Sequence, residues 1–166
     1  LIDKLYRTQT TDKLDISTNV QEGASDAPVV HLGVKKYQFT SEKILEDELV
    51  HRIESGIPVF GMPLKLYQRR GVYGRQYILR NGRLDILATD STGNLYVIEL
   101  KKDSGYDDAY TQTRTYVDWV QEDLACPGQS VYGIICLNNP TSELQQKVKA
   151  DPQIRLFEYH ISYCEL

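Results

Sequence analysis

Cysteine and histidine are scarce in this sequence, and their scarcity narrows the chemistry that it can support. The three cysteines form no CxxC or CxxH motif, and their odd number leaves a thiol without a partner. The three histidines are scattered along the chain. The sequence therefore predicts idle thiols in a reducing compartment, which we take to be the cytoplasm, and no histidine-based triad or zinc cluster.

Long apolar runs and a large excess of one charge are also missing. No run approaches the ~18 apolar residues of a membrane span, and the start has no signal-peptide pattern. The net charge of −4 argues against an indiscriminate polyanion binder. The 166 residues suffice for one domain with a real core. Because the chain begins at Leu1 rather than Met, we expect a fragment or processed chain, which leaves open a missing upstream domain. A homodimer is a separate alternative that the sequence also leaves open.

The amino-terminal part reads differently from the rest. Residues 1–28 are polar and predict a linker or loosely ordered arm, whereas residues 29–166 read as one folded domain. In the domain, "VVHLGVKKYQF" predicts a leading strand. A helix then runs from the cap candidates Thr40 and Ser41 to Gly56. Its apolar stripe consists of Ile44, Leu45, Leu49, Val50 and Ile53.

The remaining elements alternate between strands and helices. Strand-like runs "PLKLYQ" and "RQYILR" precede a hairpin at residues 83–101. A helix over "YDDAYTQTRTYVDWVQEDL" follows, then the continuous apolar run "VYGIICL", which is typical of a central strand. A short helix, "TSELQQKVKAD", with Thr141 and Ser142 as cap candidates, and a last strand, "IRLFEYHI", complete the pattern. This order predicts an α/β sandwich with a mixed sheet, antiparallel on one side and parallel on the other. The helix after the hairpin should face inward with Ala109, Thr113, Tyr116, Val117 and Val120.

The hairpin "RLDILATDSTGNLYVIELK" raises the main chemical question. Gly93 in its loop can take the positive φ that a three-residue turn needs, and pairing Asp90 with Asn94 places Asp85 opposite Glu99. One face should then collect Leu84, Ile86, Ala88, Tyr96, Ile98 and Leu100. The other face should carry Leu87, Leu95 and Val97 near the turn, and Arg83, Asp85, Glu99 and Lys101 at the open end.

The two opposed carboxylates need compensation. At ~5 Å and an effective dielectric of ~20 they repel by about 3 kcal/mol. A divalent cation between oxygen ligands, with an ammonium nearby, would offset that repulsion. The alternative is a surface face whose charges reach water or pair with Arg83 and Lys101. Burial of the rest of both strands on both faces favours the cation.

A basic stretch precedes Asp85. Residues 64–83 contain no acid, and three tyrosines are interleaved with the positive charges. Such a patch suits phosphate contacts and base stacking. Charged strands that simply face solvent would show the same sequence pattern. Its position directly upstream of Asp85 favours a nucleic acid. The candidate contacts are Lys65, Arg69, Arg70, Arg75, Arg80 and Arg83.

A longer pattern carries a family resemblance. "GRLDILATDSTGNLYVIELKK", followed by "AYTQTRTYV", resembles the C-terminal nuclease domain of NucS/EndoMS-type endonucleases, a branch of the PD-(D/E)xK nuclease superfamily. The match covers roughly residues 40–138. Leu84 stands where the superfamily nominally has proline, and the arginine of the second segment is shifted. The resemblance implies a restriction-endonuclease-like three-layer α/β/α sandwich with a mixed central sheet.

The resemblance also implies roles for individual residues. Asp85 and Glu99 would ligate Mg²⁺ or Mn²⁺, and Lys101 would be the catalytic lysine. Glu42, with Glu46 as second choice, would be the helix ligand. Both glutamates share a helix face that can approach the hairpin.

Two further residues complete the implied pocket. Gln112 and Tyr116 would contribute from the next helix, where ordinary helix packing is an equal alternative. The resulting prediction is a Mg²⁺- or Mn²⁺-dependent DNA endonuclease, with DNA repair as one role. The alternative is an inactive nuclease-fold domain for nucleic-acid binding or assembly, which the retained Asp85, Glu99 and Lys101 disfavour.

Overall fold

A computed structural model describes residues 18–19, 29–33, 42–102 and 108–162 of the chain. Apart from Thr18–Asn19, the predicted arm lies outside these residues. The helices are α1 (Glu42–Glu54), α2 (Asp108–Asp123) and α3 (Ser142–Lys149). The strands are β1 (Thr18–Asn19), β2 (Val29–Gly33), β3 (Lys65–Leu66), β4 (Gln68–Arg69), β5 (Val72–Tyr73), β6 (Arg75–Leu79), β7 (Gly82–Thr89), β8 (Leu95–Lys101), β9 (Val131–Leu137) and β10 (Ile154–Ser162).

The strands form one mixed sheet in the order β1-β2-β10-β9-β8-β7-β3, with β6 also paired to β7. Strands β2, β10, β9 and β8 are parallel neighbours, whereas β7 pairs antiparallel with β8, β6 and β3. Strands β4 and β5 form a separate two-stranded ribbon. The predicted mixed sheet is confirmed, and "VYGIICL" is its central strand β9.

Helices cover both faces of the sheet and make three layers. Helix α1 packs its apolar residues against β7, β8, β9 and β10 in one buried cluster. Helix α2 lies on the opposite face, and its five predicted inward residues are all buried. Helix α3 is capped at Thr141 as predicted, where the side-chain oxygen accepts from the Leu144 N–H. One residue of the predicted apolar stripe of α1, Ile44, is exposed. Glu46 and Arg52, which lie outside that stripe, are buried. No helix in the described part has the length and apolar character of a membrane span.

The β7–β8 hairpin has the predicted register over its apolar half. Thr89 pairs with Leu95, and the ladder continues to Ile86 and Ile98, where it ends. Gly93 takes a φ of 88° in the turn. The prediction that Leu84 shares a face with Ile86 is wrong, because Leu84 lies in the α2-side cluster. Beyond Ile86, β7 leaves β8 and pairs only with β6, so the alternation of faces breaks at Asp85.

Candidate active site

Asp85 lies where β7 and β8 separate. The backbone N–H of Leu100 donates to Asp85 Oδ2 at 2.9 Å, so the side chain takes the place of a backbone acceptor. Burial raises the pKa of Asp85 above its ordinary value, while the Leu100 N–H and the nearby Lys101 ammonium act in the opposite direction. Because the two strands diverge here, the Asp85 carboxylate is directed toward the open end of the sheet.

Glu99 is the more deeply buried of the two hairpin acids, with 1% of its surface exposed. Its Oε1 has no hydrogen-bond partner in the described part of the chain, and its Oε2 lies 3.7 Å from Lys101 Nζ. Burial, followed by the charge of Asp85, raises the pKa of Glu99 to about 8. A buried carboxylate oxygen without a donor is costly, which indicates that the site needs a further positive partner.

A hard divalent cation fits this donor set. Asp85 and Glu99 offer carboxylate oxygens at adjacent positions, and oxygen is the ligand that Mg²⁺ and Mn²⁺ prefer. Among the residues described, no three His, Cys, Asp or Glu side chains form a ready-made metal cluster. The two hairpin acids and the partnerless Glu99 Oε1 therefore form the core of the candidate site.

The two helix glutamates have different surroundings. Glu46 is buried and contributes to the raised pKa of Asp85 through its charge. Glu42 is exposed, and its Oε1 accepts from the backbone N–H of Lys102 at 3.2 Å. Glu46 thus faces the Asp85 side of the site, whereas Glu42 caps the end of β8. The family resemblance puts Glu42 first, and the sequence alone does not separate the two because both share one helix face.

Gln76 connects Glu46 to Asp85, and its neighbour Arg75 also holds Glu46. The Gln76 amide nitrogen donates to Glu46 Oε2 and, at 3.3 Å, to Asp85 Oδ1. Arg75 Nε donates to Glu46 Oε1 at 2.6 Å, and the same guanidinium also pairs with Asp47. Gln76 adopts a φ of 48°, in the left-handed region that non-glycine residues rarely occupy. No periodic pattern in the sequence singles out Gln76, since its role depends on contacts with residues far away in the chain.

The hydrogen bond and the ring contact of Gln112 and Tyr116 involve residues of α2 rather than this cluster. Gln112 Nε2 donates to the Tyr116 hydroxyl at 3.2 Å, and Tyr116 is buried against Trp119 with ring centroids 5.6 Å apart. Neither forms a hydrogen bond with Asp85, Glu99 or Lys101 among the described contacts. A packing role accounts for both contacts, and the predicted pocket role stays a prediction.

The basic stretch divides into engaged and open residues. Arg75 is engaged by Glu46 and Asp47, and Arg80 pairs with Glu122 and Asp123 at 2.6 and 2.8 Å. The Arg80 guanidinium also lies 5.4 Å from the ring centroid of Trp119. In the described part of the chain, four residues of the stretch are exposed and have no ion pair. They are Lys65, Arg69, Arg70 and Arg83.

Comparison with known proteins gives one family and a shared fold. Residues 69–158 match the family model described as the Endonuclease NucS C-terminal domain. A crystal structure of a repair endonuclease from Pyrococcus abyssi has a TM-score of 0.53 at 22% identity, covering 78% of this chain and 50% of that chain. A structure of an EndoMS-dsDNA2 complex has a TM-score of 0.54 at 21% identity, covering 80% and 48%.

These likenesses confirm the predicted restriction-endonuclease-like α/β/α fold. The chain spans about half the length of each of the two solved structures. No curated protein sequence matches it.

Proposed function

The chain belongs to the family of the Endonuclease NucS C-terminal domain, and from that premise we propose that it is a divalent-cation-dependent DNA endonuclease. The observation that carries the proposal is the meeting of Asp85, Glu99 and Lys101 at the open end of one hairpin. No donor among the described residues reaches the buried Glu99 Oε1 there, and Lys101 Nζ lies 3.7 Å from the other oxygen of Glu99. This arrangement suits phosphodiester hydrolysis, which a cation and an ammonium beside one phosphate accelerate.

The cation would be held by Asp85 and Glu99. A bound Mg²⁺ or Mn²⁺ supplies polarisation of a phosphoryl oxygen and a lowered pKa for its bound water. We propose Glu46 as the helix carboxylate that completes the ligand set, since it is buried and linked to Asp85 through Gln76. Glu42, the first choice from the family resemblance, is the less favoured candidate because it is exposed.

Lys101 would act on the reacting phosphate and water. In hydrolysis, a water oxygen bonds to phosphorus and gives up a proton while a phosphorus–oxygen bond to deoxyribose breaks, and the leaving oxygen takes up a proton from solvent, which balances the proton that the water loses. The half-buried Lys101 ammonium can donate to a phosphate oxygen, where negative charge develops. Its side chain lies beside Glu99 on the same strand, so the cation ligand and the donor are held in a fixed relation.

Gln76 and Arg75 would be positioning residues. Their donors restrain the Glu46 carboxylate from two sides, and Gln76 also reaches Asp85. Partners of this kind orient ligands and tune a metal site. The left-handed backbone of Gln76 supports a functional role, because strained backbone conformations cluster at such sites.

Duplex DNA is the proposed substrate. The solved EndoMS-dsDNA2 complex supports this class of substrate, and so do the exposed arginines next to the site. A chain with a net charge of −4 would contact phosphates through this local patch rather than through its whole surface.

A cleavage assay tests the proposal directly. The chain is incubated with single-stranded, duplex, mismatched and branched DNA in Mn²⁺, Mg²⁺ or EDTA. We expect cutting only with a divalent cation, loss of cutting in Asp85→Asn, and normal cutting in Asp118→Asn, a matched change on the exposed side of α2. Cutting in EDTA contradicts the proposed chemistry. Cation-independent DNA binding without cutting of any substrate would favour the inactive binding domain.

A further inference from the structure

The β4–β5 ribbon, residues 68–73, is exposed over its whole length. Each of the six residues is open to solvent, with 50% of Val72 and 58% of Tyr73 accessible. Among the described residues, strands β4 and β5 pair only with each other, Gln68 with Tyr73 and Arg69 with Val72. A two-stranded ribbon on its own is only marginally stable in water. Its exposed apolar side chains therefore indicate a surface that a binding partner covers.

The base of the ribbon is fixed to the sheet. The Tyr67 N–H donates to the Leu87 carbonyl at 2.9 Å, and the Gly74 N–H donates to the Tyr67 carbonyl at 2.7 Å. A Cβ at Gly74 would lie 1.9 Å from the Leu87 carbonyl oxygen, so only glycine fits there. Tyr67 is buried and meets Tyr77 edge to face. The ribbon thus projects from a rigid base and holds its direction.

The tip of the ribbon carries two arginines in an unusual turn. Arg70 has a φ of 51° and Gly71 a φ of 79°, the two positive values of a type I′ turn. Asn or Gly is favoured at the first of these positions, so arginine occupies it against the local conformational preference. Arg69 and Arg70 are exposed, and no ion pair engages either within the described residues. By contrast, the nearby Arg75 is already engaged by carboxylates.

The ribbon is continuous with the candidate active site. Arg75 and Gln76 follow Tyr73 by two and three residues, and they hydrogen-bond to Glu46 and Asp85. A surface held by the ribbon would therefore lie close to the cluster of acids. The major groove of duplex DNA admits a two-stranded β-ribbon, and its phosphates complement the two open guanidiniums.

We propose that the β4–β5 ribbon enters the major groove of duplex DNA beside the phosphate that the site would cleave. Arg69 and Arg70 contact phosphates or base edges, and Tyr73 and Val72 cover the apolar parts of the groove. This inference rests on the proposed function, because it takes the bound nucleic acid to be the substrate. It assigns duplex recognition to a six-residue element that is separate from the acids and Lys101.

Binding measurements in EDTA test the ribbon without cleavage. Fluorescence anisotropy is recorded with one duplex and its single strand for Arg69→Ala/Arg70→Ala and for Lys147→Ala/Lys149→Ala, a control that removes two charges from α3. We expect the ribbon variant to lose about tenfold or more in duplex affinity, and its log–log salt slope to fall by about one for each lost phosphate contact. The control should bind like the wild type. Melting temperatures verify that each variant is folded.

Tyr73 is tested with a conservative pair. Tyr73→Ser should weaken duplex binding by about fivefold or more, and Tyr73→Phe should restore it, because the ring rather than the hydroxyl covers apolar parts of the groove such as thymine methyl groups. Single-strand affinity should fall less than duplex affinity in every ribbon variant, because phosphate contacts contribute to both but groove contacts only to the duplex. Equal losses for single-stranded and duplex DNA would overturn groove entry, and a ribbon variant that matches the α3 control would overturn the whole inference.

A parallel cleavage assay in Mn²⁺ separates this inference from the proposed function. If the wild type cuts DNA and the ribbon variants bind duplex normally, the ribbon inference is wrong and the endonuclease stands. If ribbon variants lose duplex binding but the wild type cuts no DNA, the groove contact of the ribbon stands, and the endonuclease proposal fails together with the placement of the ribbon beside a cleaved phosphate.

Discussion

The backbone N–H of Leu100 donates to the carboxylate of Asp85 at 2.9 Å, just beyond the last ladder pair of Ile86 and Ile98. A side chain here replaces the backbone acceptor that a continuing ladder would supply. The bond holds Asp85 beside β8 and next to Glu99, although burial and like charge oppose two carboxylates in that position. The hydrogen bond and the repulsion can be separated by mutation.

Asp85→Asn and Asp85→Ala should both abolish Mn²⁺ binding and cleavage, since each removes a ligand charge. In EDTA, Asp85→Asn should melt above the wild type because it removes the repulsion and keeps an acceptor for Leu100. Asp85→Ala should melt below Asp85→Asn, since an unsatisfied N–H costs about 1–3 kcal/mol. Calorimetric Mn²⁺ titration and thermal melts measure both effects. Wild-type Mn²⁺ affinity in Asp85→Asn would contradict the ligand assignment.

Lys101→Ala should separate rate from metal binding. The ammonium repels a bound cation, so Mn²⁺ affinity should stay the same or tighten, while the cleavage rate falls by about 10²–10³-fold. Lys102→Ala is the matched control, because Lys102 is adjacent and exposed. Single-turnover cleavage beside Mn²⁺ titration gives the two readouts. A Lys101→Ala variant that cuts at the rate of Lys102→Ala would remove the lysine from the mechanism.

Glu46→Gln and Glu42→Gln identify the helix ligand. Glu46→Gln should weaken Mn²⁺ binding by about 10–100-fold, because Glu46 is buried and tied to Asp85 through Gln76. Glu42→Gln should bind Mn²⁺ like the wild type, since Glu42 accepts from the Lys102 backbone at the surface. Calorimetry on the two isosteric variants decides between them. The reverse order of affinities would assign the role to Glu42, as the family resemblance ranked them.

Gln76 variants distinguish the amide from the backbone. Gln76→Gly removes the amide but adopts the φ of 48° without strain. Gln76→Ala also removes the amide and is strained at that φ. We expect Gln76→Gly to be the more stable of the two and both to lose about tenfold in Mn²⁺ affinity. Urea unfolding and Mn²⁺ titration provide the measurements. Normal Mn²⁺ affinity in Gln76→Gly would show that the amide does not position Glu46.

Glu99 should make the stability of the metal-free protein depend on pH. Its pKa rises from an ordinary 4.5 to about 8 on folding, so between these values the unfolded chain has already released a proton that the folded chain retains. The free energy of unfolding should therefore fall as the pH rises from about 4.5 to about 8. In Glu99→Gln this component is absent. Urea unfolding in EDTA across that range measures it, and parallel curves for the two proteins would refute the assignment.

Sequence patterns determined the helices and strands and the register of the apolar half of the hairpin. Alternation in residues 83–101 predicted the register that the structure confirms from Thr89 to Ile86, and helical spacing predicted all five buried positions of α2. The Gly93 turn and the Thr141 cap were also readable. These features depend on side chains within a few residues of each other, so local periodicity and turn chemistry suffice to predict them.

Tertiary structure decided which residues of each set meet. Glu42 and Glu46 share a helix face in the sequence, but only Glu46 is joined by Arg75 and Gln76 from a strand about thirty positions away. The same packing engages Arg75 and leaves Arg69 and Arg70 open on the ribbon. The cause is geometric: the end of the β7–β8 ladder and the angle of α1 set these long-range contacts, and neither is encoded in a local pattern.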